Sequence, residues 1–104
     1  MNLDRAFDAL GDRTRRRIFL RLREGPQYAG DLVRGMRVTR SAVSQHLQVL
    51  KAAGLVSVQV EGTRRLYHVD PKGVEAFRNE LDRFWSQTLT AYKALVEKAD
   101  EDET

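Results

Sequence analysis

Cysteine does not occur in this chain of 104 residues. Its absence removes disulfide staples, a thiolate nucleophile and any cysteine metal site, and nothing in the sequence argues for an oxidising compartment. Histidine occurs twice, at His46 and His68. They fall on different predicted elements, and two isolated imidazoles do not supply the three or four converging donors of a zinc site. Long apolar runs are also missing. The stretch "MNLDRAFDALGDRTRRRIFL" interleaves acids with its apolar residues, so neither a signal peptide nor a membrane span is expected, and the residues read as a soluble cytoplasmic protein. There is no glycine-rich phosphate loop and no paired carboxylates flanking a cleft, and the serines have no separate His and Asp partners, so an enzyme finds no support. At this length one domain with a single modest core is expected.

Acidic residues are missing from one region in particular: none occurs from 32 to 60. The formal net charge is only +3, yet residues 1–70 carry 13 basic and 7 acidic side chains (+6), whereas 71–104 carry 5 and 8 (−3). Such a segregation suits a molecule whose front faces a polyanion. Fourteen of the 18 basic residues are arginine, which favours bidentate contacts to phosphate or guanine. Charge alone fits a solvated helix face equally well, and some of Arg13, Arg15, Arg16 and Arg17 have Asp8, Asp12 or the acidic tail as alternative partners.

Periodicity organises the rest. Leu3, Phe7 and Leu10 define a short amphipathic helix ending at Gly11. Asp12 caps a second helix, carrying Ile18, Phe19 and Leu22, that stops at Gly25-Pro26. A third helix is expected around 28–35. A fourth spans 39–53, capped by Thr39 and closed by Gly54. The alternation of "LVSVQV" and "RRLYHV" around "EGT" then predicts a β-hairpin, with Val56, Val58 and Val60 on one face. Asp70-Pro71 restarts a long helix whose stripe includes Val74, Phe77, Leu81, Phe84, Trp85, Leu89, Tyr92, Leu95 and Val96. The domain is placed at 1–97, followed by an acidic, frayed tail at 98–104.

Within the fourth helix, Val43, Leu47 and Leu50 share one narrow stripe while Ser41, Ser44, Gln45 and Gln48 cluster opposite. An apolar stripe docks the helix; short uncharged donors and acceptors match base edges in a major groove. Two short helices followed by a hairpin give a mainly helical α+β chain of five helices, with the hairpin as the wing of a winged helix-turn-helix. His46 lies at the edge of the stripe and reads as packed or capping, and His68 as a surface strand residue. The aromatics of the last helix read as core or dimer seam, with a small-molecule pocket as the alternative.

The segments "ALGDRTRRRIFLRL", "AGDLV", "SAVSQHLQVLKAAGLV" and "EGTRRLYHVD" resemble, over about residues 3–96, the successive signatures of ArsR/SmtB-type bacterial transcriptional repressors. The resemblance implies a homodimer that binds an inverted-repeat operator in double-stranded DNA and releases it on a chemical cue. It implies base contacts from Arg40, Ser41, Ser44 and Gln45, which helical phasing extends to Gln48, and wing contacts from Arg64 and Arg65 to the backbone or minor groove. The dimer seam is expected to use Leu3, Phe7, Phe77, Leu81, Phe84, Trp85, Leu89 and Tyr92. Two positions depart from the pattern: Tyr28 stands where a small capping residue often begins the third helix, and Arg37 where the turn often has glycine. The family's metal-binding residues are absent too. Arsenic-sensing thiols would fall near Tyr28 and Gly30, and zinc ligands on the final helix, which has no histidine. The chain is therefore expected to use no metal or cofactor, and either an organic ligand in the aromatic seam or its own abundance sets its activity. A protein-interaction module of the same fold is the competing function, but its recognition face would carry exposed aromatics or leucine rather than Ser and Gln.

Overall fold

The computed structural model describes residues 1–102. The elements run α1 (Leu3–Gly11), α2 (Arg13–Leu22), β1 (Gln27–Tyr28), α3 (Ala29–Leu32), α4 (Arg40–Ala52), β2 (Val56–Glu61), β3 (Arg64–Val69) and α5 (Pro71–Asp102). Each of α1, α2 and α4 begins at a short polar side chain that relieves an orphan amide. Asn2 accepts from the Arg5 amide at 3.0 Å, Asp12 from Arg15 at 2.9 Å and Thr39 from Ala42 at 3.0 Å. At the other end of α4, the Gly54 amide reaches the Lys51 carbonyl and the Leu55 amide reaches that of Leu50. This paired closure needs a left-handed residue, and Gly54 has φ +81°.

One core joins these elements. Ala6 and Ala9 of α1, Ile18 and Leu22 of α2, Leu32 of α3, and Val43, Leu47 and Leu50 of α4 meet Leu55, Val56 and Tyr67 from the hairpin side. The predicted stripe of α4 is therefore the face it buries, with Val43, Leu47 and Leu50 all at 0% exposure.

Three features differ from the sequence expectation. The third helix is a single turn, because Tyr28 makes no side-chain cap and the chain tightens after Leu32 into turn bonds from Arg34 to Asp31 and Met36 to Val33. The hairpin is joined by a third strand, giving the antiparallel order β1-β3-β2, with Gln27 opposite Tyr67 and Tyr28 opposite Leu66. Two residues are too few to leave an alternating pattern. Lastly, α5 continues as helix through Asp102, past residue 97, since no glycine or proline follows Gly73 to stop it; residues 103–104 of the expected tail lie outside the described residues. The hairpin leaves the core as it extends: Val56 is buried, Val58 half-buried, and Val60 exposed.

Most of α5 has nothing to cover it. Its N-terminal part meets α1, where Phe7 touches Phe77 and Phe84 edge to face at centroid distances of 5.8 and 6.4 Å. Beyond that point Trp85, Leu89, Tyr92 and Leu95 are between 53% and 67% exposed, and the molecule measures 70 × 27 × 20 Å. Its radius of gyration is 18.9 Å, against about 13 Å for a compact chain of roughly this length.

Candidate nucleic-acid interface

The outward face of α4 and the arginines at the wing tip share one cleft. Arg40, Ser44 and Gln48 line it from the helix; Thr63, Arg64 and Arg65 line it from the hairpin; Tyr28, Asp31 and Tyr67 complete the walls around about 430 Å³. The juxtaposition follows from local rules. Residues 40, 44 and 48 are successive i, i+4 neighbours on one helical face, and the two-residue turn Gly62-Thr63, with Gly62 at φ +62°, returns the chain beside that face. Ser41 and Gln45 are exposed on the same outward side but outside the cleft. Asp31 is the cleft's carboxylate, 3.8 Å from the Arg34 guanidinium.

The basic residues divide by task. Arg15 donates to the main-chain oxygens of Ala9 at 2.8 Å and Asp8 at 3.2 Å, and Arg16 to that of Leu10 at 2.7 Å, so both close the C-terminus of α1. Arg21 reaches the carbonyls of Leu32, Asp31 and Arg34 at 2.6, 3.1 and 2.8 Å and fixes the turn between α3 and α4. These guanidinium groups satisfy helix ends. For Arg15 and Arg16 this differs from the carboxylate or phosphate partners suggested by charge, while Arg13 and Arg17 stay at the surface. His46 stands 3.4 Å from Arg15, half-buried and turned from the outward face. His68 is half-buried, with its Nδ1 3.1 Å from the Val69 carbonyl oxygen.

Tyr28 was visible in the sequence only as a departure from the expected capping residue. Its ring carries the Arg64 guanidinium 3.5 Å above its centroid, and its hydroxyl donates to Glu61 at 2.6 Å. The bond to the Glu61 carboxylate holds the phenol above its ordinary pKa of 10.0. Thr63 was hidden because a turn residue gains its place only from the hairpin's register.

The expected seam residues divide along α5. Leu3, Phe77 and Leu81 are half-buried, whereas Phe7, Phe84, Trp85, Leu89 and Tyr92 are exposed. Among the described residues no group of three or more His, Cys, Asp or Glu gathers to hold a metal ion, and no helix is long and apolar enough to cross a membrane.

A helix-turn-helix domain family matches residues 10–59. The HTH-type transcriptional regulator Rv2034 of Mycobacterium tuberculosis is 52% identical over 99 residues, covering 95% of this chain and 92% of that protein. Among solved structures, an ArsR-like transcriptional regulator from Rhodococcus sp. RHA1 superposes with a TM-score of 0.74 at 31% identity, covering 89% of this chain and 91% of the other. The homodimeric winged helix-turn-helix DNA-binding domain of Mb0332 from Mycobacterium bovis superposes with a TM-score of 0.64 at 26% identity, over 81% and 77% of the two chains. The protein belongs to the ArsR/SmtB-type family of winged helix-turn-helix transcriptional regulators. It is a DNA-binding regulator and not an enzyme.

Proposed function

We propose that the protein is a homodimeric repressor that binds an inverted-repeat operator in the bacterial cytoplasm, at the nucleoid when bound. In this reading α4 enters the major groove and the β2–β3 wing follows the flanking backbone or minor groove. The observation that carries it is the shared cleft of Arg40, Ser44 and Gln48 with Arg64 and Arg65. Glutamine can take an adenine edge and arginine a guanine edge in bidentate fashion, and serine can serve as donor or acceptor, so Arg40, Ser41, Ser44, Gln45 and Gln48 read bases, while Arg64 and Arg65 contact the backbone or minor groove. Two copies of α4 require a symmetric pair, and the uncovered aromatic length of α5 is the surface that a second copy covers. The homodimeric state of the related Mb0332 domain supports a symmetric pair. An inducer, if one acts, is a small organic molecule held in the aromatic seam, since among the described residues no metal donors gather.

Selection of bound sequences from random duplexes tests this reading. The selected sites are expected to show two-fold symmetry, and affinity to fall steeply with salt. Ser44→Ala or Gln45→Ala relaxes base preference, at about 1–3 kcal/mol for each good base-edge hydrogen-bonding pair removed, whereas Arg64→Ala weakens binding to all sequences. Equal affinity for every duplex, or the opposite pattern between Gln45→Ala and Arg64→Ala, overturns it.

A further inference from the structure

Between Asp31 and Asp70 the sequence contains one carboxylate, Glu61. It stands at the wing tip as the direct cross-strand partner of Arg64. Opposite charges in that position ordinarily pair, and such a pair would occupy the guanidinium that the wing presents to DNA. Among the described residues no Glu61–Arg64 ion pair is formed. Tyr28 stands between the two groups and satisfies them separately, the carboxylate through its hydroxyl at 2.6 Å and the guanidinium through its ring face at 3.5 Å.

We infer that Tyr28 is a positioning residue for DNA binding, which holds the wing's one acid away from its arginine and keeps the arginine's N–H edge open to a phosphate. The inference rests on the proposed function, in which Arg64 faces DNA. A guanidinium bound through its face to an aromatic ring keeps its in-plane donors free, so stacking and phosphate binding do not compete. A guanidinium paired with a carboxylate has those donors already engaged. The short strand β1 makes the arrangement firm: pairing of Tyr28 with Leu66 fixes the ring's backbone beside the hairpin. This also accounts for a bulky tyrosine at the head of α3, where it caps nothing.

The test separates the hydroxyl from the ring. Tyr28→Phe keeps the platform and releases Glu61 to compete for Arg64. Anisotropy titrations with a generic duplex at low salt, where phosphate contacts dominate, should show binding weakened about two- to fivefold, the range of an exposed ion pair. Glu61→Gln alone should leave affinity equal to or tighter than wild type. The double variant Tyr28→Phe with Glu61→Gln should match Glu61→Gln, because no carboxylate remains to compete. In an Arg64→Ala background Tyr28→Phe should have no effect. A merely structural tyrosine would weaken binding equally in all three backgrounds, and that result overturns the inference, as does a Tyr28→Phe protein that binds like wild type. In the free protein, the Arg64 side-chain protons should be ring-current shifted in wild type and in Tyr28→Phe but not in Tyr28→Leu; unshifted protons in the wild type also overturn it. If the wild-type protein binds no duplex at all, the proposed function fails and this inference with it. If it binds and only the Tyr28 effects are missing, the inference alone fails.

Discussion

Replacing Gly73 with alanine sets two physical effects against each other. On helix propensity alone, alanine within α5 should stabilise the protein by about 1 kcal/mol. The structure argues for the opposite sign. A Cβ at position 73 would lie inside the contact radius of the Gly54 carbonyl oxygen and only 2.8 Å from its carbonyl carbon. The obstacle is main chain, so no rotamer change relieves it. It also belongs to the turn that closes α4, where the Gly54 and Leu55 amides cap the helix. The same junction is tied by the Asp70 amide to the Leu55 carbonyl at 3.0 Å and by the Ser57 hydroxyl to the Asp70 carboxylate at 2.7 Å. Overpacking typically costs about 1–3 kcal/mol, and sits at or above the top of that range where main chain must move, so here it outweighs the propensity gain. With about 4–8 °C per kcal/mol for a domain near this size, Gly73→Ala should melt several degrees below wild type at equal protein concentration. Circular dichroism melting decides the matter. A variant as stable as the wild type or more so would show that α4 and α5 do not approach as described.

Removing Trp85 and Leu89 together by alanine should shift sedimentation at micromolar concentration toward the 11.9 kDa monomer, since a central aromatic anchor contributes about 2 kcal/mol or more to an interface; an undiminished dimer would place the seam elsewhere. Stability should also fall with acid in a way traceable to two caps. The Asp70 carboxyl lies below its ordinary pKa, first through the Ser57 hydroxyl and then the Gly73 amide, and the Asp12 carboxyl through the Arg15 amide. Depressed folded-state values mean that this stability is present above the ordinary aspartate pKa of 3.8 and is lost as pH falls through the folded values. Asp70→Asn should flatten that acid limb in pH-dependent urea unfolding; an unchanged profile would remove Asp70 as a contributor.

The parts of the fold that could be read from the sequence are those in which a local rule and the global fold agree. Helix α4 has a threonine cap, a narrow apolar stripe and a glycine stop, and all three appear where the pattern put them. The parts that could not be read depend on distant residues. Strand β1 consists of two residues whose only reason to be extended is the edge of β3, about forty positions away in sequence. The turn that ends the one-turn helix α3 is likewise held from outside, by Arg21 of α2 donating to its carbonyls. Residue 97 looked like the end of the last helix because the sequence turns acidic there, yet charge alone does not break a helix where neither glycine nor proline interrupts it.

The candidate site shows a similar division. Helical phase selects Ser41, Ser44, Gln45 and Gln48 with no knowledge of the wing, because a helix surface is a local property. Arginine is the residue whose role phase cannot assign. Its five fork-like donors suit a phosphate and a bare helix C-terminus equally, so the cluster "RTRRR" reads as a DNA-facing patch or a solvated, carboxylate-paired face until Arg15 and Arg16 are found on the carbonyls of α1. The positive count of residues 1–70 therefore overstates the charge available to DNA in the directional sense, though not in the long-range field, since a guanidinium bonded to neutral carbonyls keeps its charge. Steering toward a polyanion follows the net charge; contact follows the arginines whose donors remain open. Arg64 is one of these because an aromatic ring, and not the acid opposite it, takes its face.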